Sequence, residues 1–187
     1  MRPMTGARVG DQVDAVGRPT FDEIYRAHAL TVARWAARLG SPWLDPEDVT
    51  HDVFLKVQRS MATIGEVSDL EAWLYGITAN VVRTRRRVER FRRWFQRPEA
   101  EGHRVPAMSA SAVEFLEQKD AERLVVAALQ TLSDRDRELL VLFELEGRSG
   151  QEVARLMGVP VGRIWVWLFR ARQRFARSVE ALERTSP

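Results

Sequence analysis

Cysteine is absent from this 187-residue sequence. Its absence excludes disulfide bonds, zinc sites with thiolate ligands and a cysteine nucleophile, and it fits a reducing compartment. No apolar run approaches the length of a membrane span, and residues 1–20 lack the apolar core of a signal peptide. We therefore expect a soluble, cytoplasmic protein with no direct membrane insertion.

Lysine is scarce as well, since only Lys56 and Lys119 are lysines among the 29 basic residues. Net charge is only +3, with 16 basic and 12 acidic groups in residues 1–97 and 13 and 14 in residues 98–187. The basic character is therefore local. Arginine binds phosphate and guanine through two hydrogen bonds, although a GC-rich genome would give the same bias toward arginine.

Helix-start signals recur along the chain, and no segment shows the alternation typical of a strand. Thr20 with Glu23 forms a capping box, and Asp45 precedes a proline at a first helical position. Similar signals are Ser68 with Glu71, Ser133 with Asp136, and Ser149 with Glu152. The pattern predicts an all-α protein of two small helical domains joined by a flexible linker. Composition places a mobile tail at 1–19, domains at 20–97 and 113–187, and the linker at 98–112.

One predicted helix, Leu70–Arg97, combines an apolar stripe with a concentration of arginine. The stripe consists of Leu70, Leu74, Ile77, Val81, Val88, Phe91 and Phe95. Between Arg83 and Arg97 there are eight arginines and one acid, Glu89. Guanidinium groups this close repel one another, so such a run persists most easily beside a polyanion. An ordinary solvated helix face is the alternative, but such faces usually mix charges of both signs.

The helix predicted after Asp45 is acidic on its outer side. Asp48, His51 and Asp52 lie at helical spacing and point outward, opposite an apolar side. Acids here also complement the dipole of the helix start. A metal site would need further ligands that the sequence does not supply, so we expect no metal. A protein-docking face is the favoured interpretation.

Residues 149–177 have the spacing of a helix-turn-helix. Ala154 is small where two helices cross, Gly158 can adopt the positive φ of the turn, and Ile164 fills the space between the helices. An ordinary helical hairpin is the alternative. The second helix would present one face to DNA, which carries Arg163, Val166, Phe169, Arg170, Gln173, Arg174 and Arg177.

Taken together, these segments resemble the extracytoplasmic-function (ECF) sigma factors of bacterial RNA polymerase. Residues 45–55, which read DPEDVTHDVFL, resemble the segment of region 2 that binds the polymerase clamp. Residues 73–80, WLYGITAN, with the arginines after them, are similar to the part that reads and opens the minus-10 element. Residues 132–138 and 158–172 resemble region 4, which reads the minus-35 element and touches the polymerase flap.

The resemblance implies a transcription-initiation factor with no catalysis and no cofactor of its own. Its partners would be core RNA polymerase, promoter DNA and an anti-sigma protein. The implied polymerase contacts are Asp48, His51, Asp52 and Leu55. The implied minus-10 contacts are Tyr75, Asn80, Arg83, Arg86, Arg87, Arg90 and Arg93, and the minus-35 contacts are Arg163, Val166, Phe169, Arg170 and Arg174.

One stretch departs from the family pattern. Residues 163–167 read RIWVW where the family usually has basic and hydroxyl residues, so promoter contacts are lost at Trp165 and Trp167 and a hydroxyl at Val166. We expect both tryptophans to extend the packing of the helix. Val166 and Phe169 on a basic face suit thymine methyl groups.

Two other classes of protein remain possible from sequence. A stand-alone helix-turn-helix regulator would explain residues 149–177 but would leave residues 1–97 without a role. A metal-dependent nuclease would use the acidic cluster and His51, but convergent carboxylates are absent elsewhere in the sequence.

Overall fold

The computed structural model describes residues 18–95 and 110–184, and it describes their side chains except for residues 93–120. The order is α1 (Phe21–Leu39), α2 (Pro46–Arg59), a 3₁₀ helix (Met61–Glu66), α3 (Leu70–Phe95), α4 (Ala110–Thr131), α5 (Asp134–Leu140), α6 (Gly150–Met157) and α7 (Val161–Glu183). A π-helical turn, Val141–Leu145, continues α5. The described residues contain no strand, which confirms the all-α prediction. The predicted tail and linker lie mostly outside these residues, but α4 begins at Ala110, two residues before the predicted end of the linker at residue 112.

Most helices begin where the sequence predicts. At α1, the Glu23 backbone N–H donates to the Thr20 hydroxyl and the Glu23 carboxylate accepts from the Thr20 backbone N–H at 2.8 Å, so the capping box forms. Those hydrogen bonds from Thr20 lower the pKa of Glu23. Asp45 caps α2 by accepting from the backbone N–H of Glu47.

The predicted capping box at the start of α3 is wrong. Asp69, one residue later than expected, accepts a hydrogen bond from the backbone N–H of Ala72 at 3.0 Å. Glu71 is therefore not used as a cap, and its carboxylate binds Arg148 and Arg155 instead. A carboxylate at the first turn stabilises a helix from either position, so the sequence alone does not separate the two.

Helices α1, α2 and α3 form a bundle around Trp35, which is fully buried. Val49, Val53 and Val57 of α2 and Leu74 of α3 belong to the same core. Fully burying one such aliphatic side chain stabilises the fold by about 1.5–3 kcal/mol.

Tyr75 lies in this core, so in this conformation it is not available for the minus-10 contact that the resemblance implies. Its side chain is only 1% exposed, and its ring packs edge-on against Trp35 with the centroids 5.3 Å apart. Burial, reinforced by the nearby charge of Glu138, raises the pKa of the Tyr75 hydroxyl. The reason is that α3 buries a second stripe, which contains Tyr75, Ala79, Val82 and Arg86.

The distal part of α3 extends beyond the bundle. At 1.5 Å per residue its 26 residues span about 39 Å, whereas the 14 residues of α2 span about 21 Å. Val88 and Phe91, expected in the core stripe, are consequently exposed. Among the residues of α3 whose side chains are described, burial ends at Arg86, and the turns that follow expose Arg87, Arg90 and Arg92.

The second half of the chain buries Ile164 on the inner side of α7, as predicted, together with Leu168 and Ala171. Gly158 ends α6 with φ +66°, and the backbone N–H of Val159 donates to the Ala154 carbonyl at 3.0 Å. This left-handed turn is the glycine-dependent end of a helix that the sequence predicts. The predicted helix-turn-helix is therefore present.

Arg86 has a structural role that we did not expect. Its side chain is 4% exposed, and the guanidinium donates to the carbonyls of Leu39 and Gly40, each at 3.3 Å. Burial lowers the pKa of this guanidinium. A cation at the carboxyl end of α1 satisfies carbonyls that have no partner within the helix and also complements its dipole. The expectation that Arg86 lies on an exposed DNA-binding face is wrong in this structure.

We predict that Arg86→Ala destabilises the protein by about 2 kcal/mol, because buried carbonyls lose a charged donor. For a chain of this size that corresponds to a fall in Tm of about 4–8 °C. Thermal unfolding followed by circular dichroism measures it. Arg87→Ala removes the same charge from the adjacent, exposed position and should leave Tm within 1 °C or so of the parent. Equal effects of the two substitutions would contradict the structural role.

Candidate functional site

The exposed arginines of α3 form the first candidate surface. Arg87 and Arg90 are exposed and form no ion pair among the described residues, and Asn80 is exposed on the same helix. Arg83 is half-exposed but engaged, because Nε and Nη2 donate to the two carboxylate oxygens of Glu138 at 2.6 and 2.8 Å. This hydrogen-bonded pair raises the pKa of Arg83. The side chain of Arg93 lies outside the described residues.

The acidic side of α2 is connected to this helix. Arg85 donates to the Asp52 carboxylate at 2.6 and 2.9 Å, and its Nη1 lies 3.7 Å from the Asp48 carboxylate. Asp52 is therefore only partly exposed, whereas Asp48 and His51 are exposed as predicted. The pairing neutralises one arginine of α3 within the first bundle.

An open groove between α1 and α2 forms the second candidate surface. Exposed apolar side chains line it, above all Leu30, which is 87% exposed, together with Tyr25 and Leu55. Glu47, Asp48 and His51 supply polar groups to the same groove. Large apolar side chains that converge on an acidic rim are typical of a protein-docking surface. The sequence predicted the side of this groove that α2 forms. The contribution of α1 is evident only from the packing of the two helices.

The outer side of α7 forms the third candidate surface, which we call the reading face: Arg163, Val166, Phe169 and Arg170. All four side chains are exposed, and the two arginines form no ion pair among the described residues. Arg174, predicted to act with them, instead binds Asp136 at 2.8 Å. The reading face therefore pairs two cations with two apolar side chains, a combination that suits phosphates or guanine beside thymine methyls.

Both tryptophans of α7 contact protein, as expected. Trp165 packs edge-on against Phe143 with the centroids 5.9 Å apart, and its ring lies over Gly150. The guanidinium of Arg135 lies 4.6 Å from the centre of the Trp167 ring. These contacts fix the start of α7 against α5 and α6.

The two halves contact each other through reciprocal ion pairs. Arginines of the first half bind acids of the second: Arg34 and Arg38 bind Glu146, Arg83 binds Glu138, and Arg86 lies 3.7 Å from Asp134. Arginines of the second half bind acids of the first: Arg148 binds Glu71 at 2.8 Å, and Arg155 binds both Asp69 and Glu71. The hydrogen bonds from Ala72 and Arg155 lower the pKa of Asp69.

The contacts of these acids are ones that we did not predict from sequence. Asp134 and Glu138 lie four positions apart and so share one side of a helix, which is a readable signal. That side also carries buried apolar residues, and Glu138 itself is only 4% exposed. An acid in an apolar helix face predicts a cationic partner, but sequence does not identify which arginine supplies it.

Within the parts of the chain that the structure describes, no group of acidic or histidine side chains is arranged to hold a metal ion. Within those same parts, no helix is both long and apolar enough to cross a membrane.

Comparison with known families gives two matches in chain order. Residues 24–92 match Sigma-70 region 2, and residues 122–175 match Sigma-70, region 4. The first match covers the α1–α3 bundle and its exposed arginines. The second covers α5, α6 and most of α7, including the reading face.

Named relatives agree with these matches. The chain is 33% identical over 174 residues to the ECF RNA polymerase sigma factor SigE of Mycolicibacterium smegmatis; the alignment covers 90% of this chain and 65% of that relative's length. It is 25% identical over 183 residues to the ECF RNA polymerase sigma-E factor of Escherichia coli K12, with 85% of this chain and 90% of the relative covered.

Two solved structures share the fold. One is CnrH in complex with the cytosolic domain of CnrY, at a TM-score of 0.56 and 24% identity, with 86% of this chain and 88% of that chain covered. The other is the sigma factor RpoE of Bartonella quintana with the anti-sigma factor NepR, at 0.56 and 22%, with 86% and 96% covered. Two consecutive region matches, relatives of one type and a shared helical fold lead to one conclusion: this chain belongs to the ECF sigma factors of the sigma-70 family.

Proposed function

We propose that this protein binds core RNA polymerase in the cytoplasm and directs it to promoters, where it assists DNA opening and transcription initiation. The observation that carries the proposal is the presence, in one chain, of two helical modules that match regions 2 and 4 and that each expose arginine. A stand-alone helix-turn-helix regulator would need only the second module. The chemistry of RNA synthesis belongs to the polymerase, and we assign no catalytic residue and no cofactor to this chain.

The groove between α1 and α2 supports polymerase docking. Its exposed apolar side chains, Leu30, Tyr25 and Leu55, offer area that is costly to leave in water. Asp48 and His51 at its rim would supply charge complementarity and orientation. Asp52 would contribute indirectly, because its ion pair with Arg85 fixes the position of α2 on α3.

The exposed end of α3 supports phosphate binding near the start site. Arg87 and Arg90 are available in this conformation, Arg83 would have to leave Glu138, and Asn80 could hydrogen-bond an unstacked base. We include Arg93 among the proposed phosphate-binding residues because it belongs to the same helix. Unstacking costs a few kcal/mol per step, and capture of the freed strand on a cationic surface offsets part of that cost.

The reading face of α7 supports recognition of the upstream element. The first helix of the helix-turn-helix, α6, would cross the phosphate backbone while the second, α7, enters the major groove. We propose that residues 20–97 and 113–187 act as the two separate DNA-binding domains, joined through residues 98–112.

An anti-sigma protein is a further proposed partner. The Bartonella structure contains a sigma factor together with an anti-sigma factor, and it shares this fold across 86% of the chain. The docking groove of α1 and α2 is a surface for which such a protein would compete with polymerase.

We predict start-site-specific transcription when the purified protein is added to sigma-free core polymerase with a library of promoter fragments. Sequencing of the 5′ ends of the transcripts measures it. The expected result is a small set of start sites that share an upstream and a downstream element, absent from reactions with core polymerase alone. Random initiation in both reactions would refute the proposed function.

We predict that Leu30→Ser weakens binding to core polymerase about tenfold, because an exposed leucine in the groove loses its apolar contact area. Biosensor titration with core polymerase measures the affinity. Ala27→Ser adds a hydroxyl to an exposed position on the same helix that does not line the groove, and it serves as the control. An unchanged affinity for Leu30→Ser, with the helical content intact, would place the polymerase on another surface.

We predict that the reading face detects thymine methyl groups in the upstream element. Replacing contacted thymines by deoxyuridine removes only a methyl, and losing one buried methyl of about 0.8 kcal/mol weakens binding about fourfold. In Phe169→Ala, with most of the apolar contact gone, thymine and deoxyuridine promoters should bind holoenzyme alike. Gln173→Ala, on the next turn, should keep the preference. Equal binding of the two promoters by the unaltered holoenzyme would contradict the prediction.

A further inference from the structure

We propose that the two halves hold each other in a closed resting state, in which the protein's own carboxylates occupy arginines that would otherwise bind DNA phosphates. The proposal concerns regulation and rests on the proposed function, since that function places Arg83 on DNA and lays α6 across the phosphate backbone. Its basis is the set of reciprocal ion pairs between the halves, which we call the lock. The lock consists of Arg34 and Arg38 with Glu146, Arg83 with Glu138, Arg86 with Asp134, Arg148 with Glu71, and Arg155 with Asp69 and Glu71.

The acids of the second half are shielded by the arginines that they bind. The side chains of Glu138 and Glu146 are only 6% and 3% exposed, although both are charged. Glu138 binds Arg83 through both of its oxygens, and Glu146 accepts from Arg34 at 2.9 Å and from Arg38. Buried carboxylates need such partners, because an unpaired charge away from water is strongly disfavoured. Closure is therefore built into the position of these acids.

The acids of the first half bind arginines of the second half. Asp69 is held in place as the cap of α3 by the backbone N–H of Ala72 at 3.0 Å. Arg155 of α6 reaches Asp69 at 2.6 Å and also Glu71, while Arg148 reaches Glu71 at 2.8 Å. The hydrogen bonds to both acids raise the pKa of Arg155. Because the cap fixes Asp69 in advance, little conformational freedom is lost when the halves meet.

Occupied guanidinium groups explain why closure opposes DNA binding. Arg83 uses Nε and Nη2 on Glu138, and that pair of donors is the edge with which arginine binds a phosphate. The same donors do not serve both anions at full strength, so a phosphate at Arg83 displaces Glu138. Arg155 lies on α6, the helix that crosses the DNA backbone in a helix-turn-helix, and Arg148 lies two residues before the start of that helix. Both arginines are occupied by acids of the first half as well.

The reading face is left out of the lock. Arg163 and Arg170 are exposed and have no ion pair among the described residues. Closure therefore acts selectively: it occupies Arg83 of α3 together with Arg148 and Arg155, and it leaves Arg87, Arg90 and the base-reading side of α7 exposed. A protein that is closed in this way would scan upstream sequence weakly and grip DNA only after the halves separate.

The test compares a lock variant with a control of identical net charge. The lock variant is Glu71→Gln with Glu138→Gln, which keeps side-chain size and removes the charges that bind Arg83, Arg148 and Arg155. The control is Glu144→Gln with Glu183→Gln: Glu144 pairs with Arg172 inside the second half, and Glu183 is exposed near the end of α7. Small-angle X-ray scattering gives the radius of gyration. Fluorescence anisotropy with labelled single-stranded DNA of about 20 nucleotides gives phosphate-directed affinity without polymerase.

We expect the lock variant to have a larger radius of gyration and to bind the DNA about three- to tenfold more tightly than the control. Circular dichroism checks that both fold. If Glu138→Gln prevents folding, Glu146→Gln, which releases Arg34 and Arg38, replaces it under the same criteria.

Unchanged radius and affinity would overturn the proposal, and so would expansion without tighter DNA binding. Equal gains in the control would attribute the effect to net charge alone and would overturn it too. The transcription assay with core polymerase is scored separately, so failure of the proposed function is distinguishable from failure of the lock.

Discussion

Neutralisation of the α3 arginines is the constraint on which the rest of the structure depends. Like charges at this density repel each other along one helix, and each arginine needs an anion, a carbonyl or water. Arg85 pairs with Asp52 within the first bundle, and Arg83 pairs with Glu138 from the second half. Arg86 donates hydrogen bonds to the carbonyls at the end of α1. Arg92 pairs with Glu89 on the same helix, whereas the exposed Arg87 and Arg90 form no ion pair within the described structure. One run of basic sequence thus contributes to helix packing, to contact between the halves and to an open cationic surface.

The two surfaces that we propose to bind DNA are positioned by different kinds of packing. On α7 the inner stripe of Ile164, Leu168 and Ala171 is buried, so the outer residues are presented to solvent regardless of how the halves are arranged. On α3 two stripes are buried up to Arg86, and the cationic surface there depends on what the second half covers. The first surface is fixed by local packing, and the second is conditional on tertiary arrangement.

Sequence reasoning succeeded where the information is local. Cap chemistry involves residues three to five apart in sequence, and it correctly predicted the helix ends at Thr20 with Glu23, at Ser149 with Glu152 and at Gly158. It failed where burial is decided by residues far away in the chain. Tyr75 and Arg86 looked like surface groups because a single-stripe helix was assumed, whereas α3 is buried on two sides. Asp69, not Ser68, caps α3. Both residues fit the sequence pattern of a helix cap, so the sequence alone did not distinguish them.

The ring of Trp165 on α7 lies directly over Gly150 at the start of α6, so the two helices of the helix-turn-helix are in close contact there. A Cβ atom at residue 150 would lie 2.6 Å from the Trp165 ring, closer than atoms can approach. The residues at these two positions are therefore sterically coupled. A descendant that acquires alanine at 150 must shrink residue 165 or swing its indole outward, and an outward indole would enlarge the surface that α7 offers to the groove. Substitution at residue 150, which lies outside the reading face, would in this way change the surface that we propose to contact promoter DNA.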